Sequence, residues 1–274
     1  MLKTVKNIGL AAMIILGSVS FANASEGSSF EIKKNDWPHA GPFGKFDKPA
    51  LQRGLQVYKE VCSACHSLNM VAFRELTALG YNMDELKVFA AEYEFPNGTD
   101  DEGEEVFRKG KPHDYFPAPF ASEAEARDSN NGALPPDFSL LAKSREHLSM
   151  FTPWNSLYGE DYIVGILTTY HEGNPNGGEM TDGMYFNEAF KGNMIAMAPP
   201  LSDDLVEYAD GTKATMQQMA HDVATFMYWA AEPKMEDRKK MGLKVIIFMT
   251  ILTIMLYFVN KSVWRKVKKG DDLV

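Results

Sequence analysis

The chain has 274 residues, 45% of them hydrophobic, and a formal net charge of −9. That is enough for one globular domain with targeting or membrane segments attached. The charge is unevenly placed: residues 1–24 carry +2 and residues 235–274 carry +5, which leaves −16 on residues 25–234. So acidic a central part excludes nucleic acid as a partner and suits either a basic protein partner or simple solubility. There are two cysteines.

In chain order, Lys3 and Lys6 precede a short apolar run from Ile8 to Val19 and the small-residue site Ala22-Asn23-Ala24. This is the pattern of a secretory signal over residues 1–24, and the absence of arginine there argues against a mitochondrial leader. Residues 25–46 read as irregular. A helix is predicted from Asp47, with Asp47 as cap, Pro49 in the first turn, and Leu51, Leu55 and Tyr58 on one face.

That helix leads into Cys62-Ser63-Ala64-Cys65-His66, the attachment signature of a c-type haem. Two thiols at this spacing each form a thioether to a haem vinyl group, and the adjacent imidazole becomes the proximal iron ligand. With both cysteines so committed, none is left for a disulfide. A thioredoxin-like redox pair would need a βαβ context, which the surrounding pattern lacks.

A second helix is predicted over Asp84 to Tyr93, and residues 97–111, with the acidic run Asp100 to Glu105, read as a loop. That run is either a solvated surface or part of a docking face. A turn at Asn130 to Asp137 leads to a short helix capped by Asp137 and running to about Glu146. Phe151 to Tyr158 reads as an aromatic-rich loop, Asp161 to Tyr170 as helix, and 171–194 as loop. Thr215 to Gln218 is a capping box, followed by the stripe Met216, Met219, Ala220, Val223, Phe226 and Met227. That face is expected to pack on the helix before Cys62.

Pro233 ends this helix, and a new one opens with Glu236 and Asp237 in its first turn. From Leu243 to Val259 only Lys244 is charged, which is the lower limit for a membrane span, and Lys261, Arg265, Lys266, Lys268 and Lys269 follow. The positive-inside rule places that basic tail in the cytoplasm. The expected organisation is a cleaved signal (1–24), a periplasmic cytochrome c domain (25–232), a linker and transmembrane anchor (233–260) and a basic cytoplasmic tail (261–274). The chain would then be a single-pass protein of a bacterial inner membrane, in contact with the lipid bilayer.

The sixth iron ligand is open from chemistry alone. Met197, in Met197-Ala198-Pro199-Pro200, is the best candidate because the prolines stiffen its loop, and Met194 competes with it. His39, His113, His147, His171 and His221 are the bis-histidine alternatives.

Taken together, Val61 to Ser67, Asp114-Tyr115-Phe116-Pro117, Asn130 to Asp137, Met197 to Pro200, Asp210-Gly211-Thr212 with Ala214-Thr215-Met216, Trp229 to Pro233, and Arg238 to Gly242 resemble the cytochrome c1 family, the haem c subunits of the cytochrome bc1 complex. The resemblance covers essentially the whole chain after the signal. It implies a mainly α fold: a c-type cytochrome domain with long loop insertions and one C-terminal transmembrane helix. It implies one covalent haem c through Cys62 and Cys65, with iron ligands His66 and Met197. It also implies Arg145 and Tyr162 beside the haem propionates, with Arg127 as a second candidate cation. The implied partners are the Rieske iron–sulfur protein as electron donor, cytochrome c as acceptor, and cytochrome b in the membrane. The chain would perform no bond chemistry alone. A free-standing membrane-anchored c-type cytochrome serving an oxidase or reductase is the rival within this class. A haem peroxidase or gas sensor is the rival from another class, and both of those need an exchangeable sixth ligand.

Overall fold

A computed structural model describes residues 30–147, 157–175, 177 and 179–269. The signal segment and most of the aromatic stretch Phe151 to Tyr158 lie outside the described residues.

The domain is built around two helices that cross in close contact. Helix α1 (Lys48–Val57) starts after Asp47 with Pro49 in its first turn, although the Asp47 side chain makes no capping bond. It buries Ala50, Leu51, Gly54, Leu55 and Val57. The predicted Met and Phe stripe forms the buried face of a later helix, Met216–Ala231, whose cap is half of the predicted box. Thr215 accepts the Gln218 backbone N–H, while the Gln218 side chain bonds Asp222 instead of reaching back. The two helices meet at Gly54. A Cβ placed there would lie 2.2 Å from the Asp222 carbonyl oxygen and 2.7 Å from the Phe226 Cβ. Glycine is therefore what lets the backbones approach. Arg53, next to it, ties the crossing with two bonds to buried Asp222 at 2.8 and 3.0 Å.

In chain order, α1 is followed by a wide π-helical turn, Tyr58–Cys62, and a 3₁₀ helix, Phe73–Leu79, that ends at Gly80 with φ 109°. Helix α2 covers Met83–Ala90, shorter than expected. Its start is a full capping box between Asn82 and Glu85. Residues 97–111, read as loop from their charges, instead sit largely in an antiparallel hairpin of β1 (Glu94–Thr99) and β2 (Glu105–Lys109). Asp100 closes the turn by accepting the Glu102 and Glu104 backbone N–H groups at 2.9 Å each. The hairpin buries little, so its strands show no alternation for sequence reading to detect.

Helices α3 (Glu123–Ser129) and α4 (Leu141–Ser144) are short. The predicted role of Asp137 as a helix cap is not what the structure shows, because α4 begins four residues beyond it and Leu140 stands at its cap. Helix α5 (Gly159–Thr168) packs against Met216–Ala231, which is α6. Residues 171–194, expected as loop, contribute to a three-stranded sheet of β3 (Tyr170–His171), β4 (Tyr185–Asn187) and β5 (Met194–Ile195) in that order. Strands of two or three residues are too short to give a period. Buried Asn187 organises them, donating to the Ile166 carbonyl at 2.7 Å and accepting from Ala189 and Phe190 at 3.1 Å.

Helix α6 stops before Pro233, and α7 runs from Met235 to Lys269. At about 1.5 Å per residue it exceeds the roughly 30 Å of a bilayer core. Its apolar side chains, including Ile246, Phe248, Leu256 and Phe258, are exposed, and it is long and apolar enough to cross a membrane. Its root is fastened to the domain: Arg238 pairs with Glu232, Glu236 accepts the Phe46 N–H at 3.1 Å, and Lys239 donates to the His39 carbonyl at 2.5 Å.

Candidate haem-binding site

The π-helical turn at the end of α1 turns the chain out of the helix, and a tight turn follows. Ser63 N–H bonds the Tyr58 carbonyl at 2.8 Å, and His66 and Cys65 N–H groups bond the Cys62 carbonyl at 2.9 and 3.2 Å. Tyr58, fully buried against Phe116, Phe138 and Phe226, donates its hydroxyl to the His66 carbonyl at 3.1 Å. The core thus fixes the backbone of the Cys62–His66 run from below.

The two thiols are unpaired with each other. Burial first, and then the neighbouring Cys65, push the Cys62 thiol up to about 12. A thioredoxin-like redox pair is served by a lowered thiol pKa, and the direction here is the opposite.

The His66 imidazole is buried and stacked on Phe138, with ring centroids 4.2 Å apart. Its Nδ1 lies 2.8 Å from the Pro136 carbonyl oxygen. A carbonyl only accepts, so Nδ1 carries the proton and Nε2 is left with its lone pair. Burial lowers the His66 pKa, against the opposing effects of the Pro136 bond and the Asp137 charge. The Pro136 bond selects, for the neutral ring, the tautomer that offers Nε2 to a metal. Two thioether-forming thiols and one such imidazole are the donor set that a covalent haem requires.

A second segment locks this one. Phe138 N–H bonds the Ser67 carbonyl at 2.9 Å, and Met70 N–H bonds the Ser139 hydroxyl at 3.0 Å. The Asp137 carboxylate accepts from Ser67 Oγ at 2.8 Å, from Asn69 N–H at 2.9 Å and from Ser139 N–H at 2.8 Å. Burial would raise the Asp137 pKa, but these donors outweigh it and leave the pKa lowered.

The remaining sequence-derived candidates fall into three places. Arg145 and Tyr162 are brought together, the guanidinium carbon 5.9 Å from the ring centroid. Arg127 is exposed and donates to the Gly132 carbonyl at 3.1 Å, within its own turn, so nothing brings it to the other two. Met197 is half-buried just after β5, and its carbonyl accepts the Tyr170 hydroxyl at 3.1 Å. The histidines considered as alternatives have other engagements: His39 bonds buried Glu160 at 2.5 Å, His221 stacks on Trp37 at 4.3 Å, and His171 pairs with Glu188 at 2.9 Å. Exposed His113 lies 3.6 Å from Asp114, and the His147 backbone pairs with Leu157.

Sequence reading missed Tyr58, Pro136 and Phe138 around His66, and Tyr170 beside Met197, and mistook the role of Asp137. Only the Pro-Pro-Asp turn carried a signal, since a proline pair presents carbonyls without donors.

The fold and site define a c-type cytochrome domain carried on one membrane helix. The Cytochrome C1 family matches residues 37–267. Cytochrome c1 of Rhodospirillum rubrum is 43% identical over 279 residues, covering 96% of this chain and 98% of the relative. The mitochondrial cytochrome c1 haem protein of Schizosaccharomyces pombe is 42% identical, covering 96% and 82%. The protein named cytochrome b/c1 of Bradyrhizobium diazoefficiens is 44% identical over 93% of this chain, which spans only 38% of that relative's length. The chain belongs to the cytochrome c1 family. Members of that family bind haem c and are the electron-transfer subunit of the respiratory cytochrome bc1 complex, without catalytic activity of their own.

Proposed function

We propose that this chain would hold one haem c covalently through Cys62 and Cys65, with His66 and Met197 as the residues that would ligate its iron. One observation carries the proposal: the Pro136 carbonyl takes the Nδ1 proton of a buried His66, leaving Nε2 free for a metal in the residue that follows Cys65 in the chain. When bound, the haem supplies a one-electron couple between the Rieske iron–sulfur protein and cytochrome c. The protein's share is to fix the ligands, shield the pocket and hold the domain at the membrane. Tyr170 supports Met197 by tying its carbonyl, and the proline pair that follows limits the loop. Arg145, with Tyr162 beneath it, is suited to a propionate, since a guanidinium stays charged when partly desolvated. Arg127, occupied in its own turn, is the weaker candidate for the same task.

The domain, residues 25–232, stands on the periplasmic side of a bacterial inner membrane, delivered there by the signal over residues 1–24. Residues 233–260 form the linker and anchor, packed by cytochrome b within the lipid bilayer, and residues 261–274 form the cytoplasmic tail. The basic side chains Lys261 and Arg265 at the far end of α7 support this orientation.

The test is Met197→Leu in the full-length holoprotein. The expected result is loss of the low-spin methionine-ligated spectrum, a lowered midpoint potential and new carbon monoxide binding to the ferrous form. A potential and spectrum matching the parent would reject Met197 as the ligand. Carbon monoxide binding by the unsubstituted protein would favour an enzyme or gas sensor instead.

A further inference from the structure

The bond from His66 Nδ1 is only as strong as the placement of its acceptor. The Pro136 carbonyl lies in the peptide unit it shares with the Asp137 N–H, and Pro136 itself is exposed. What holds its carbonyl is the next residue. The Asp137 carboxylate spans two stretches of chain: one oxygen takes Ser67 Oγ and Asn69 N–H, directly after the histidine, and the other takes Ser139 N–H. The acceptor of the His66 proton and the backbone that carries His66 are thus registered against each other through one side chain. Three donors on one carboxylate exceed what the turn needs, since Phe138 N–H to Ser67 O and Met70 N–H to Ser139 Oγ already join the same stretches.

We infer that Asp137 is a positioning residue for the proximal histidine and, through it, sets the reduction potential. The inference rests on His66 being the iron ligand. A well-aligned Nδ1–H···O bond raises the electron density of the imidazole, and an electron-rich ligand favours ferric over ferrous iron. A fixed negative charge close by acts in the same direction. Removing Asp137 therefore raises the potential. The carboxylate contributes both alignment and charge, and an asparagine removes the charge while keeping one of the two acceptor oxygens, and so only part of the alignment.

The experiment is potentiometric titration of the full-length holoprotein and its Asp137→Ala and Asp137→Asn variants, with thermal unfolding and the optical spectrum recorded for each. Asp137→Ala is expected to shift the oxidised-to-reduced equilibrium at least threefold toward reduced, about 28 mV upward at 59 mV per tenfold for one electron. Asp137→Asn is expected to lie between Ala and the parent. Ser67→Ala, which removes one donor and leaves the carboxylate, gives a smaller rise and serves if Asp137→Ala fails to mature. A parent-like or lowered potential in Asp137→Asn and Ser67→Ala, with only melting temperature reduced, would overturn the inference and leave Asp137 a structural residue. The optical spectrum separates this from failure of the ligand assignment: variants that stay low-spin with an unmoved potential sink only the role of Asp137.

Discussion

The crossing of α1 and α6 at Gly54 supports a prediction whose sign is opposite to the helix-propensity rule. In an exposed helix interior, Gly→Ala stabilises by about 0.5–1 kcal/mol because alanine loses less backbone entropy. At Gly54 the new Cβ would stand 2.2 Å from the Asp222 carbonyl oxygen, and both atoms belong to helix backbones that cannot rotate aside. Ordinary contact demands that the helices separate by roughly 1 Å, which loosens the packing of Leu51, Leu55, Val223 and Phe226 and stretches the Arg53–Asp222 pair. Overpacking of this kind costs about 1–3 kcal/mol, and a backbone obstacle puts this site at the upper end. After the propensity gain the net loss is about 2 kcal/mol, which for a chain of this size lowers Tm by roughly 4–8 °C. The assay is thermal unfolding of the full-length protein in detergent, followed by far-UV circular dichroism, with Gly242→Ala as control because no atom lies within 4 Å of its Cβ position. Gly54→Ala melting at or above the parent would refute the claim that a tight backbone crossing governs this position.

Two further predictions concern charge. Burial raises the Glu160 pKa despite its bond to His39, so the folded state resists deprotonation where the unfolded chain, near 4.3, does not. The stability of the parent relative to Glu160→Gln should accordingly fall as pH rises above about 4.3 and level off beyond the folded pKa; a difference that grows with pH would contradict this. The −16 carried by residues 25–234 should steer a basic cytochrome c, so its rate of reduction by this protein should fall several-fold as ionic strength rises from about 10 to 150 mM, where the screening length shrinks from about 30 to 8 Å. A flat profile would show that the acidity serves solubility alone.

The sequence by itself determined the chemistry and the long elements. Cys62, Cys65 and His66 are adjacent in the chain, so their spacing is legible without a fold. The buried stripe of α6 and the apolar run of α7 are long enough for periodicity and length to act as signals. The hairpin of β1 and β2 and the small sheet around Asn187 left no such mark, because strands that are exposed or only two or three residues long carry no burial pattern. Tertiary structure alone decided the surroundings of His66. Tyr58 is eight residues away in sequence, and Pro136 and Asp137 are some seventy away. Nothing local distinguishes an aspartate that caps a helix from one that ties two loops together, since the same carboxylate serves any donor that folding brings to it. The same holds for Arg145 over Tyr162, and for Gly54, whose necessity is set by a carbonyl on a helix more than 150 residues further along the chain.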